Sequence, residues 1–424
     1  MHSPDMLSGL ASADRGLVKA AAMPPTALVL APQAGQDRVV TGLTLSARGK
    51  RVAAKAGIDP DRVHVIRTVQ ELSRARAEFA NAPILLIRVT RQVVAPPLVQ
   101  PLRPGEAGTR IAVDPDGSYA GAAQVDAKDS IALLNALEAD FEAGEEALAA
   151  SWEKVTVNDR AHHPAGTREE ARAADAWLFQ LIHKPLDGFL PAFLSRPLAR
   201  PFTRIFLHLP FTPNHITMMS LVLSLTGCFI AASPSWDMHV LGLTLLMFGY
   251  IFDTSDGEIA RLRMQESKFG ASLDTMGDDV VRLALITAIG LHIAPHYPSW
   301  PISWLIPIVL ALTLTSVILV YWYCIFVVGT WRMHDYEELF GVGKAVAVTG
   351  RRSLRRILGD AGTTMARRVF IDPAALTLAL LGLSWISFAA LGLGSVIGLA
   401  MVLPVHLRLV NERRSARTGE LRHQ

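Results

Sequence analysis

The spacing of apolar residues changes character once along the chain, near residue 183. Before that point short apolar runs at residues 26–31, 63–68 and 83–89 alternate with stretches of helical periodicity at 69–80 and 129–146. Strand-length runs separated by amphipathic helices predict a mainly parallel sheet covered by helices, a three-layer α/β domain. About 150 residues is enough for an independent core. Beyond residue 183 the apolar runs lengthen. Residues 214–232, 238–252, 280–294 and 304–328 are long and nearly free of charge, and 373–410 contains no acid and a single base, Arg408. A bilayer core takes about 20 predominantly apolar residues per helix. The last run, at 38 residues, is too long for one span, and Gly392, Gly394 and Ser395 mark its expected turn. The pattern therefore predicts an all-α, six-helix transmembrane domain behind the α/β domain.

The same breaks set the expected organisation: a flexible lead over 1–25, a cytosolic domain over 26–183, a juxtamembrane segment over 184–212, the membrane domain over 213–411 and a basic tail over 412–424. Asp14, Arg15 and Lys19 interrupt the lead, which does not read as a signal peptide. In the juxtamembrane segment Arg196, Arg200 and Arg204 recur every four residues. That spacing suits a helix lying on the inner leaflet, with arginines on lipid phosphates, or a structural brace. Connectors 233–239, 294–303 and 391–395 lack Lys and Arg, whereas the alternate connectors carry Arg261, Arg263, Lys268, Arg351, Arg352, Arg367 and Arg368. By the positive-inside bias both termini and the loop between spans two and three face the cytoplasm, in a multi-pass inner-membrane protein.

Composition sharpens this division. The chain has 424 residues, half of them apolar, with a formal charge of +3 and a mean hydropathy of +0.30. The charge averages a front part with 20 Lys and Arg against 22 Asp and Glu and a more basic rear part. Neither a strongly basic nucleic-acid binder nor an acidic disordered chain fits, and no nucleic-acid partner is expected. Two cysteines exclude a disulfide scaffold and a Cys-rich metal site.

Chemistry concentrates between spans two and three. Asp253 and Asp256 are three residues apart, and Asp274 and Asp278 four apart, so each pair shares a helical face. Two antiparallel helices joined by a short loop would point all four carboxylates at one another. Such charges at a membrane edge repel unless cations lie among them. Oxygen-only ligands select Mg²⁺ or Mn²⁺ over zinc. Gly257 and Ala260 leave room beside Asp256 for a flat or phosphorylated ligand, and Gly270 permits close approach at the start of the next helix. Arg261 suits a phosphate or one of the carboxylates. One or two acids at a boundary are ordinarily solvated; four at two helical spacings point to a site.

These residues spell D-x2-D-G-x2-A-R-x8-G-x3-D-x3-D without departure, from Asp253 to Asp278. The stretch resembles the signature of the CDP-alcohol phosphotransferase family, and the lead-in residues 184–188 and 212–217 are similar to that family's too. The resemblance implies transfer of a substituted phosphate from a CDP-linked donor to an alcohol, with release of CMP. It implies that Asp253, Asp256 and Asp274 hold two divalent cations, and that Asp278 is the general base and a further metal contact. Gly257, Ala260, Arg261 and Gly270 would line the cytidine and phosphate site, with Pro213 and Asn214 beside it. It further implies a homodimer among membrane lipids.

The front domain resembles sugar-nucleotide and inositol-phosphate nucleotidyltransferases in its first strand, its Ala56-Gly57-Ile58 turn and residues 167–171. Its loop at 32–38 has a single glycine where that family needs a Gly-rich one, and Arg88 and Arg91 flank the place of a metal carboxylate. The domain therefore reads as degenerate. The fused arrangement resembles the bifunctional inositol-phosphate cytidylyltransferase/di-inositol-phosphate phosphate synthases. Two donor classes follow: CDP-diacylglycerol, giving a phospholipid, and a soluble CDP-alcohol such as CDP-inositol with a phosphorylated polyol as acceptor. Loss of the front active site favours the lipid donor. Arg351 and Arg352, with Arg408, form a candidate acceptor pocket, the alternative being orientation and lipid headgroups. The competing class is a non-catalytic membrane anchor whose cytosolic domain binds a partner; the intact Asp256 and Asp278 speak against it.

Overall fold

The computed structural model describes residues 24–102, 106–182, 195–328 and 368–420. The chain divides into two compact units, Met1–Leu181 and Ile182–Gln424.

The first unit is built on a six-stranded sheet. Its strands are β1 (Thr26–Leu30), β2 (Val63–Ile66), β3 (Ile84–Arg88), β4 (Arg110–Val113), β5 (Tyr119–Val125) and β6 (Glu153–Thr156), in the order β2-β1-β3-β5-β4-β6. β1 is parallel to β2 and β3, and β4 is parallel to β6, but β5 runs antiparallel to β3 and β4. Five of the six strands thus run in one direction, so the sheet is mainly parallel, with β5 as its one reversed strand. The cause is a tight turn at Pro115-Asp116-Gly117: Gly117 takes φ +88, and Asp116 accepts from the Ser118 N–H. That turn chemistry returns the chain as a hairpin instead of a crossover.

Alternation along the strands separates two faces. Leu28, Leu30 and Leu86 pack with Leu72 and Phe79 of α2 (Val69–Phe79) and with Leu133 and Leu137 of α3 (Ser130–Ala139). Val29 points the other way, onto α1 (Leu45–Lys55), where a Cβ on Gly49 would stand 2.8 Å from Val29 Cγ1. Thr44 and Thr68 cap α1 and α2 by accepting the Ala47 and Glu71 N–H groups. The short α4 (Gly144–Leu148) and α5 (Arg168–Leu181) complete the described helices of this unit.

The second unit is helical: α6 (Arg196–Leu207), α7 (Pro213–Ala231), α8 (Trp236–Leu262), α9 (Lys268–Ile293), α10 (Ile302–Tyr323), α11 (Arg368–Leu380) and α12 (Ser384–Glu420). Four of the described helices are long and apolar enough to cross a membrane: α7, α8, α10 with its π turn Cys324–Val328, and α12. α9 carries Asp274, Asp278, Asp279 and Arg282 and falls outside that group. The expected turn at Gly392–Ser395 is not where the chain breaks. Both glycines lie inside α12, and the break is at Gly382, with φ +70, between α11 and α12. Leu243, Leu285, Ile289, Ile306, Ala379 and Phe388 form the shared core of these helices. α7 and α8 approach unusually closely. A Cβ on Gly227 would stand 2.6 Å from Gly242 O, and one on Gly242 would stand 2.3 Å from Ala231 N. Only residues without side chains allow that contact, and it sets the face of α7 against the acidic end of α8.

Candidate active site

α8 continues nearly three turns past the apolar run that starts it, and α9 begins after the loop at 263–267. Ser267 accepts the Gly270 N–H and caps α9. This arrangement brings Asp253 and Asp256 of α8 against Asp274 of α9, with a carboxylate oxygen from each within 4.8 Å of the others. Polar residues of α7 support them. Thr217 Oγ1 donates to Asp256 Oδ2, and Ser220 Oγ donates to Gly249 O at 2.9 Å with Asp253 Oδ1 at 3.4 Å. Asp256 is buried.

Asp278 stands beside these three on a different partner. Its Oδ1 accepts from Arg368 Nη1 at 2.9 Å. The same guanidinium donates through Nε to Asp372 Oδ2 and through Nη2 to Ser224 Oγ, both at 3.1 Å, and Nη1 lies 3.6 Å from Asp253 Oδ1. Sequence reading placed Arg368 among loop charges; in the structure it is buried beside the carboxylates. The neighbouring Asp279 turns away, toward the Tyr321 hydroxyl at 3.2 Å and Arg282 at 3.6 Å.

The remaining expected residues gather around this group. Arg261 lies over Gly257, where an added Cβ would be 3.5 Å from Nη1, and its buried Nε has no hydrogen-bond partner among the described residues. Ala260 is half-buried one turn beyond Asp256. Pro213 opens α7, and Asn214 reaches Gly270, whose Cβ would stand 2.9 Å from Asn214 Oδ1. Arg351 and Arg352 lie outside the described residues; Arg408 is on α12, and its side chain is outside them too.

Thr217, Ser220, Ser224, Arg368 and Asp372 were missed by sequence reading. The signal was a polar stripe at positions i, i+3 and i+7 of the otherwise apolar α7, together with an Arg–Asp pair four residues apart at the head of α11.

The donor set fits a divalent cation. Four aspartates and Asp372 crowd a mostly apolar bundle, and among the described residues the buried Arg368 meets Asp253, Asp278 and Asp372 directly. Carboxylates so placed need more positive charge than one guanidinium provides. All donors are oxygens, as Mg²⁺ and Mn²⁺ prefer. A cavity of about 10 Å³, the room of one water, opens among Thr217, Ser220, Asp253, Asp274, Gly277 and Arg368.

The first unit has a separate cleft of about 980 Å³ past the ends of β1 and β3, lined by the loop at 32–38, Arg67, Arg91, Glu142 and Thr167. Two of its cations are engaged within the unit, while Arg91 is largely exposed. Arg67 donates to Pro32 O, Asp37 and Ser46, and Arg38 donates to Gly166 O. Arg88 is buried in a two-pronged pair with Glu145 and donates to Phe141 O at 2.9 Å, tying α4 to β3.

Residues 210–338 match the profile of the CDP-alcohol phosphatidyltransferase family. The chain carries a CDP-alcohol phosphatidyltransferase domain. All four aspartates, with Gly257, Ala260, Arg261 and Gly270, fall within it, and Arg368 and Asp372 lie beyond its matched end. Among similar proteins is a "Bifunctional IPC transferase and DIPP synthase" of Aquifex aeolicus, 32% identical over 182 residues, 39% of this chain and 40% of that protein. A protein of the same description from Archaeoglobus fulgidus is 30% identical over 126 residues, 30% of this chain and 25% of that one. The chain thus spans well under half the length of these two relatives. The crystal structure of Mycobacterium tuberculosis phosphatidylinositol phosphate synthase with CDP-DAG bound is similar at 20% identity, over 50% of this chain and 94% of that one, with a TM-score of 0.33.

Proposed function

We propose that this protein is a multi-pass membrane transferase that moves a substituted phosphate from a CDP-linked donor to an alcohol and releases CMP. The convergence of Asp253, Asp256 and Asp274 from two helices, inside a domain of the CDP-alcohol phosphatidyltransferase family, carries the reading. These three aspartates would hold the divalent metal, Mg²⁺ or Mn²⁺, two ions on the family's pattern. The metal's chemistry when bound is to neutralise the pyrophosphate and the departing CMP. Arg261, with its unpartnered Nε and its place over Gly257, faces the donor phosphates, and Asn214 and Gly270 border the same space. Asp278 accepts the proton of the acceptor hydroxyl. The hydroxyl oxygen then bonds to the phosphorus distal to cytidine. The bond from that phosphorus to the bridging oxygen breaks, and CMP leaves with the electron pair.

CDP-diacylglycerol is the donor we favour. The front domain supports this, because Arg88 and Glu145 fill with an ion pair the place where a nucleotidyltransferase of the resembled type keeps a metal carboxylate. On this reading the front domain does not itself make CDP-inositol. A soluble CDP-alcohol with a phosphorylated polyol acceptor is the second reading, favoured by the likeness to the two bifunctional relatives. The spans at α7 to α12, the cytoplasmic orientation of the aspartates and a homodimeric state belong to the same proposal.

Purified protein with Mg²⁺, an acceptor panel and labelled CDP-diacylglycerol or CDP-inositol tests it. CMP is expected from the lipid donor. CMP from CDP-inositol alone would transfer the assignment to the second reading, and no CMP from any donor would refute the transferase.

A further inference from the structure

Arg282 is a charge that neither the motif nor the transfer drawn above employs. It lies on α9 inside the apolar run at 280–294, where an arginine is costly unless something meets its charge. The bundle offers it little. Asp279 Oδ1 stands 3.6 Å from Nη1, too far for a hydrogen bond, and the other oxygen of Asp279 is taken by the Tyr321 hydroxyl at 3.2 Å. Among the described residues the Arg282 guanidinium makes no hydrogen bond. Arg368 is the contrast, since Asp278, Asp372 and Ser224 each receive one of its N–H groups.

Arg282 is one helical turn past Asp278, so the two share a face of α9. Their side chains are almost equally open, 34% for Arg282 and 33% for Asp278, whereas Asp279 is only 10% exposed. Both are therefore reachable from one side of the helix. Asp372 of α11 lies within electrostatic range of Arg282 as well as of Arg368, which puts Arg282 on the flank of the bundle where Arg368 meets Asp278. Side chains one turn apart start about 5–6 Å from each other at Cβ. A small alcohol whose hydroxyl meets Asp278 spans that interval, and its far end arrives at a planar fork with donors to spare. Such a fork matches the oxygens of a phosphate or carboxylate. Asp278 can contact a cation and still meet the hydroxyl.

We infer that Arg282 binds an anionic group of the acceptor, so that the acceptor is an alcohol bearing a phosphate or carboxylate rather than a neutral polyol. Asp279, braced by Tyr321, keeps the arginine on this face. The inference rests on the transferase reading above and goes beyond it by naming the acceptor's charge and the residue that reads it.

The test measures kcat and KM for CMP release by the purified full chain in Mg²⁺, for wild type, Arg282→Gln and Arg282→Lys. Glycerol 3-phosphate, glycerate and inositol 1-phosphate serve as anionic acceptors, and glycerol and inositol as neutral ones. Wild type should favour an anionic acceptor over its neutral counterpart by at least ~10-fold in kcat/KM. For that acceptor Arg282→Gln should raise KM about 10- to 100-fold, the scale of a hydrogen bond to a charged group, with donor KM little changed. Arg282→Lys keeps the charge but not the fork and should give a smaller rise. Inorganic phosphate should compete with the acceptor in wild type and lose that competition in Arg282→Gln. A wild-type preference for the neutral acceptors, or an unchanged acceptor KM in Arg282→Gln, would overturn the assignment. So would a rise in donor KM alone, which would put a donor or lipid phosphate at Arg282 instead. If Arg282→Gln does not melt cooperatively, Arg282→Lys decides: a raised acceptor KM with donor KM intact supports the role, and a wild-type acceptor KM overturns it. CMP with neutral acceptors alone removes only the role of Arg282, whereas no CMP from any pairing of donor and acceptor refutes the transferase reading itself.

Discussion

Gly242→Ala isolates the geometry that brings α7 to the carboxylates. A Cβ there would stand 2.3 Å from Ala231 N, 2.4 Å from Gly227 O and 2.7 Å from Ala231 Cα. All three are backbone atoms, so no side chain can swing aside. Unstrained carbon contacts lie at about 3.5 Å, and the helices must therefore separate by roughly 1 Å at that crossing. Overpacking of this kind costs about 1–3 kcal/mol, and with backbone on both sides the upper end applies. For a unit of this size about 3 kcal/mol corresponds to a melting temperature lower by roughly 6–12 °C. Thermal melting of the purified protein in one detergent, followed by tryptophan fluorescence, measures it. Gly394→Ala is the control, because nothing lies within 4 Å of a Cβ there and alanine favours helix. The same separation carries Thr217 and Ser220 away from Asp256 and Asp253, so CMP release should fall as well. If Gly242→Ala melts together with Gly394→Ala and wild type, the close α7–α8 contact is wrong.

Three further outcomes follow from other parts of the molecule. Glu145→Ala strands Arg88 in the core of the first unit and should lower that unit's stability by about 3–5 kcal/mol, read as an earlier first transition in denaturant. Phe79→Ala empties a fully buried site between α2 and the sheet and should cost about 3–5 kcal/mol in the same assay, leaving the melting of the helical unit unchanged. Arg263→Ala releases the carbonyls of Leu207, Leu209 and Phe211 and should cost about 2 kcal/mol, with faster proteolysis of residues 208–212.

How much of this was legible beforehand depends on the range of the interaction concerned. β1, β2, β3 and α2 lie where the local apolar spacing put them, because short strands and an amphipathic helix are set by near neighbours. The ends of the spans were harder to place. Reading span two as stopping at Phe252 treated acids as a boundary, whereas α8 runs to Leu262, since Thr217 and Ser220 across the helix contact receive Asp256 and Asp253. The last turn was put at Gly392–Ser395 because those residues are small. Glycines are tolerated within a long apolar helix, and the break fell where Gly382 adopts a left-handed φ. The sheet's antiparallel hairpin had a local sign, Pro115-Asp116-Gly117, between two strands that the apolar runs at 26–31, 63–68 and 83–89 did not include. Within the site the motif residues were readable because fixed spacing places them on two helix faces. Arg368 was not, since its place beside the carboxylates depends on a contact 90 residues away, and next to Arg367 it looks like any other positive charge at a membrane boundary.

The central claim is that Asp253, Asp256 and Asp274 hold a divalent cation for release of CMP. CMP release from labelled CDP-diacylglycerol, compared between wild type and Asp256→Asn in Mg²⁺ and in excess EDTA, tests it most directly. The account predicts CMP from the wild type in Mg²⁺, none in EDTA, and a rate at least ~100-fold lower in an Asp256→Asn protein that still melts cooperatively. Undiminished release in EDTA, or a wild-type rate from Asp256→Asn, would contradict it.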